Sequence, residues 1–147
     1  MDSYFKRSVV LLSEHDEKGT LGFILNKPTD VKLNEAVDDF PDFDVPLYFG
    51  GPVETDTLFY IHTLGPKLEG AREICPGIWW GGDYDQLKFL IDTHQIHRDE
   101  IRFYAGYSGW EPRQLDTELK EKSWMLVDAK PQFTFFDDPK LLWSQVL

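Results

Sequence analysis

The sequence predicts one domain in which β-strands and α-helices are mixed without regular βαβ alternation. Three observations lead there. The 147 residues are the size of one ordinary domain, long enough to hold a true core. Five Trp, six Tyr and eleven Phe supply large apolar areas, which sets the chain apart from disordered sequences despite 28% charged residues. Short β-forming runs are interspersed with helical periodicities, and no internal repeat or low-complexity segment interrupts them.

Residues 8–13 and 20–25 are apolar runs joined by the charged stretch 14–19, which ends in Gly19, the pattern of a hairpin. His15 falls in that turn and is expected to be solvated. Asn26-Lys27-Pro28-Thr29 stops the second strand, because proline cannot continue a ladder. Leu33, Ala36 and Val37 at i, i+3, i+4 predict a short helix. Residues 38–46 read as an acidic, proline-punctuated loop with Phe40 and Phe43 turned inward, and its carboxylates lack the spacing of a calcium loop. Residues 47–49 and 58–63 read as strands on either side of a loop at 50–56. In the second strand Phe59 and Ile61 share one face, and Leu58, Tyr60 and His62 the other. Residues 72–75 and 78–80 form a second predicted hairpin about Pro76-Gly77. Asp83 is a good N-cap with Gln86 three residues on, ahead of Leu87, Leu90, Ile91 and His94 at helical spacing.

Ile101, Phe103 and Ala105 alternate with Arg102 and Tyr104, so a strand enters the stretch Gly106-Tyr-Ser-Gly-Trp110, which reads as a loop. A helix is expected from Glu111-Pro112, with Leu115 and Leu119 on its core face and Gln114 and Glu118 stacked beside it. Residues 124–127 and 132–136 read as two further strands, and Asp138-Pro139 opens a terminal helix carrying Leu142, Trp143 and Val146.

Composition excludes several functions. With 26 acidic and 15 basic residues the formal charge is −11, a field that repels a phosphate backbone, so direct nucleic-acid binding is disfavoured. A single cysteine, Cys75, makes no internal disulfide and has no basic neighbour to activate it, which fits a reducing, cytoplasmic compartment. The N-terminus carries no signal-peptide pattern, and the longest strongly apolar run, residues 9–12, is too short to span a membrane. His94 and His97 straddle a helix end without a third ligand, so no metal is assigned and no cofactor is implied. Gly106-Tyr-Ser-Gly-Trp110 lies between strand and helix as a nucleophile elbow does, yet Trp110 replaces the final glycine and no acid partner is evident, so no catalytic residue is assigned.

Several phrases together resemble the AlgH/YqgE family of bacterial proteins. They are Phe5-Lys-Arg-Ser-Val-Val-Leu-Leu-Ser-Glu-His15, Gly22-Phe-Ile-Leu-Asn-Lys-Pro28, Gly50-Gly-Pro-Val53, Leu58-Phe-Tyr-Ile-His62, and Gly106-Tyr-Ser-Gly-Trp110 followed by Gln114-Leu115 and Glu118. The resemblance covers nearly the whole chain. It implies an α+β fold with a bifurcated mixed sheet, including a small closed barrel, surrounded by helices. It also implies a single domain over residues 1–147 that lacks the strand-like segment usual before the Phe-x-Arg-Ser phrase and the tail usual after the last helix. The family pattern accepts alanine at the position of Ser108, which a nucleophile cannot. Family members carry the label of transcriptional regulator. Together with the acidic composition, this gives the expectation of a non-catalytic regulatory or adaptor protein acting indirectly through protein partners. The alternative is a protein, or an enzyme, that binds a small anionic molecule in a cleft formed by Asn26, Gly50, Gly51, His62, Gly106, Ser108, Gly109, Trp110 and Gln114. Helix N-termini and glycine-lined backbone favour such ligands.

Overall fold

The computed structural model describes residues 5–136 and 138–147. Among them eight strands form: β1 (Val10–Asp16), β2 (Gly19–Ile24), β3 (Pro28–Lys32), β4 (Pro46–Phe49), β5 (Val53–His62), β6 (Arg72–Cys75), β7 (Ile78–Trp80) and β8 (Ile101–Trp110). Helices α1 (Leu33–Ala36), α2 (Tyr84–Asp92), α3 (Gln114–Lys120), α4 (Pro131–Thr134) and α5 (Pro139–Val146) flank them. The strands pair in the order β1-β2-β8-β5-β7-β6, all antiparallel, while β4 joins β8 in parallel and carries β3 on its other side. The two ends of this path approach each other, with Arg72 Nη1 3.2 Å from Glu14 Oε1. The sheet is therefore a nearly closed barrel, and the class is α+β.

Strand alternation sorts the apolar side chains into two cores. Phe59 and Ile61 of β5 and Tyr104 of β8 point into the barrel, where they meet Leu11, Phe23, Ile78 and Leu142. Leu58, Tyr60 and Phe103 point outward and pack on Leu33, Leu87 and Ile91 from α1 and α2. The predicted faces of residues 58–61 are those observed. Phe40 is buried and Phe43 packs beside it, so the acidic loop does turn its phenylalanines inward. Asp83 caps α2, accepting from Gln86 N at 2.8 Å. The Gln86 side chain does not complete a capping box; it accepts from Glu69 N at 2.7 Å and ties the helix start to the preceding loop. His94 lies past the end of α2 in a left-handed conformation, φ 57°.

Several elements differ from the sequence prediction. Pro28 opens β3 where a strand was expected only to end, and the first residue of a strand is a place the ladder tolerates proline. β5 starts at Val53, inside the predicted loop. Residues 124–130 have no regular structure, since no neighbouring strand pairs with them. Residues 131–134 are helical rather than extended, because Pro131 sits where a helix start accepts it, and Phe133, Phe135 and Phe136 reach the barrel core from there. A short apolar run does not itself distinguish the two states.

Candidate functional site

Gly106 to Trp110 is not a loop. These residues continue β8, and α3 begins only at Gln114, behind Arg113 at φ 65°. One edge of β8 pairs with β5. Its other edge is shared in series, with Phe103 to Ala105 bound to β4 and Ser108 to Trp110 bound to β2. Gly50 sits at the fork. Its N–H donates to Ala105 O at 2.9 Å, and its carbonyl accepts from Ile24 N at 2.9 Å and from Ser108 Oγ at 3.1 Å. A Cβ on Gly50 would overlap Gly106 O, and one on Gly51 would overlap the Tyr107 carbonyl. Gly106 takes φ 74° and reverses the alternation, so that Tyr107 joins Tyr104 in the barrel core. Gly50, Gly51, Gly106 and Ser108 thus converge, as a packed backbone junction with the Ser108 hydroxyl fully buried.

His62 stands at the other end of β8, opposite Ile101. Ser108 lies seven positions along the strand from Ile101, roughly 23 Å, so His62 is no base for that serine. Its ring is fully buried. Nε2 donates to Gly81 O at 2.8 Å and Nδ1 accepts from Leu64 N at 3.2 Å, which fixes one neutral tautomer. Burial holds its pKa below the ordinary histidine value, opposed in part by the Gly81 hydrogen bond. Asn26 extends the β1–β2 ladder by accepting from Val9 N at 3.0 Å and donating to Arg7 O at 2.9 Å. Gly109 is exposed.

Trp110 is buried, and its Nε1 donates to Glu118 Oε1 at 3.3 Å. Glu118 also accepts from Trp124 Nε1 at 2.8 Å and from Gln114 Nε2 at 3.0 Å. Gln114 and Glu118 stand beside the core face of α3, as expected. Trp124 belongs to the stretch read as a strand. The usable signal was chemical: a glutamate on the partly buried flank of a helix needs donors, and an indole only donates.

These aromatic residues line a groove of about 780 Å³ whose other walls come from β1, α3, residues 124–130, α4 and α5. Phe5 stacks on Trp110 with ring centroids 5.9 Å apart and meets Trp124 edge-on at 5.3 Å. Val10 and Leu12 of β1 and Leu115 and Leu119 of α3 form the walls, and Met125, Leu126 and Val127, exposed by 72%, 66% and 48%, border the opening. The charged residues lining the groove are Lys6, Arg7, Lys122 and Lys130 against Asp128 alone, the reverse of the whole-chain balance. A smaller cavity of about 360 Å³ adjoins it through Arg7 and Trp143. Of the nine residues proposed from sequence, Trp110 lines the larger cavity and Asn26 the smaller. Gly50, Gly51, His62, Gly106, Ser108, Gly109 and Gln114 line neither.

Among the described residues no group of three His, Cys, Asp or Glu side chains could hold a metal ion. The Cys75 thiol is pushed up by burial, with Glu73 adding to the effect, away from reactivity. No helix among the described residues is long and apolar enough to cross a membrane.

Residues 1–147 match the family model described as AlgH-like, DUF179. UPF0301 proteins of Chlorobaculum tepidum and Chlorobium limicola are 46% and 48% identical over 145 residues, spanning 99% of this chain and 78% of theirs. The solution structure of the AlgH protein from Pseudomonas aeruginosa superposes with a TM-score of 0.74 at 31% identity, covering 90% of this chain and 72% of that one. A crystal structure of a Corynebacterium diphtheriae protein shares the fold at 24% identity with a TM-score of 0.73.

Proposed function

We propose that this chain, which belongs to the AlgH-like family, is a non-catalytic regulatory or adaptor protein that holds an apolar, acid-flanked segment of a protein partner in the groove between β1 and α3. The observation that carries this reading is the lining of the groove, apolar within and bordered by four cations and one carboxylate, in a chain of net charge −11. Cations gathered around an apolar recess select a partner of opposite charge and steer its approach. Met125, Leu126 and Val127 form a contiguous exposed apolar run, unlike the isolated apolar residues normal on a surface. Among the described residues β1 pairs only with β2; its other edge approaches β6 at Glu14, and the part of it at Val10 and Leu12 has no paired strand and is the place for an added one. The acidic field of the whole chain opposes DNA, so the regulatory label of the family is read as indirect.

Fluorescently labelled peptides of alternating Val and Leu, flanked by Glu or by Lys, test the proposal by anisotropy. The Glu-flanked peptide is expected to bind, to weaken as salt rises, and to lose binding with Leu126→Asp, a change that leaves stability within about 0.5 kcal/mol because the site is exposed. Equal binding of both peptides, or of neither, overturns the proposal.

A further inference from the structure

We infer that the smaller cavity, which Arg7, Lys27 and Lys140 line together with Asn26 and Trp143, binds the phosphoryl group of a small phosphomonoester. Three of the chain's 15 basic residues line this recess, and no Asp or Glu does. Among the described residues none of the three forms an ion pair; the pairs present involve Lys32, Arg72, Lys88 and His97. Gathering like charges is unfavourable unless something compensates them. Two of them have uncharged partners. The Arg7 guanidinium lies over the Trp143 ring, 5.3 Å from its centroid, and Lys27 Nζ donates to Lys6 O at 3.3 Å. Arg7 itself is in the left-handed region, φ 53°, with its carbonyl fixed by Asn26 Nδ2 at 2.9 Å. That bond uses one hydrogen of the Asn26 amide and leaves the other as a donor.

The cations and this amide match a dianion that accepts several charge-assisted hydrogen bonds. The start of α5 is not part of the case, since Asp138 already accepts from Lys140 N at 3.0 Å, and Ser144 Oγ already donates to Leu141 O at 2.9 Å. A volume of about 360 Å³ exceeds what a bare oxyanion fills. Trp143 is the aromatic residue in that lining, which favours an ester over the free ion. The charge of the whole chain opposes any anion, but at physiological salt it is screened beyond about 8 Å, whereas the cavity cations act at contact.

Phenyl phosphate, inorganic phosphate and uncharged phenol, titrated separately and followed by the Asn26 side-chain amide and Trp143 indole NMR signals, test this. Saturable shifts are expected with phenyl phosphate, weaker ones with inorganic phosphate, and none with phenol. Lys140→Glu should weaken phenyl phosphate about tenfold, with an otherwise unchanged amide spectrum showing that the fold persists, and Lys27→Met should weaken it in the same direction. Leu126→Asp should leave this titration unaltered, which separates the site from the groove. No saturable shift by about 10 mM, an equal response to phenol, or indifference to both lysine variants overturns the inference. Equal affinity for inorganic phosphate overturns the ester and leaves only the free ion.

Discussion

The fork at Gly50 and the groove at Trp110 are reached within a few residues of the same strand, yet the first is filled with backbone and the second is largely space. At the fork three strands come together because Gly50, Gly51 and Gly106 carry no Cβ to keep them apart. At the groove, large side chains on β8, α3 and residues 124–130 hold the walls apart, and Glu118 fixes two of those side chains through their indole N–H groups. Clustered glycines report that backbones approach one another. Room for a ligand depends instead on side chains whose packing is left incomplete.

Gly51→Ala should break this contrast most directly if it is wrong. A methyl group there meets the Tyr107 carbonyl at φ 154°, so a loss of about 3–5 kcal/mol is expected from the urea midpoint. A loss below about 1 kcal/mol would mean that the fork has room. His62→Gln comes next, at about 2–3 kcal/mol, because Gly81 O and Leu64 N lose well-placed partners in a buried setting. The same residue sets a pH dependence. With the folded pKa lowered by burial, the unfolded chain binds a proton that the native state excludes. The stability contributed by neutral His62 is complete above about pH 6.5 and is lost as pH falls from there to the folded value. Urea midpoints at about pH 7.5 and about pH 5.5 should differ in that sense, and His62→Gln should reduce the difference. Ser108→Ala is expected to have the smallest effect, about 1 kcal/mol or less, since Gly50 O keeps its bond from Ile24 N. Labelling of Ser108 by a serine-reactive probe would contradict its burial.

Local chemistry was legible in the sequence. The hairpins β1–β2 and β6–β7 followed from their turn residues, the α2 cap from Asp83, and the faces of β5 from simple alternation. The fork was not, because a strand that changes partners and reverses its parity at Gly106 gives the same broken pattern as a loop. Residues 124–127 have the composition of a strand, but only a neighbouring strand could make them one. Lys6, Arg7, Lys122 and Lys130 are dispersed along the chain, and the basic border of the groove exists only once β1 and α3 stand side by side. Asn26 and Trp110 line two different cavities, and no single cleft gathers the nine candidate residues.

The central place of β8 also has a consequence for synthesis. It is made after every strand it holds together, so β2, β4 and β5 emerge from the ribosome with their eventual partner still untranslated. The β1–β2 and β6–β7 hairpins can form early, but neither the fork nor the barrel can be assembled before residue 110 is available. Such distant pairings close slowly, and the waiting edges are templates for wrong association. Until β8 is complete the earlier strands lack the element that organises them, and its arrival decides whether they fold or aggregate.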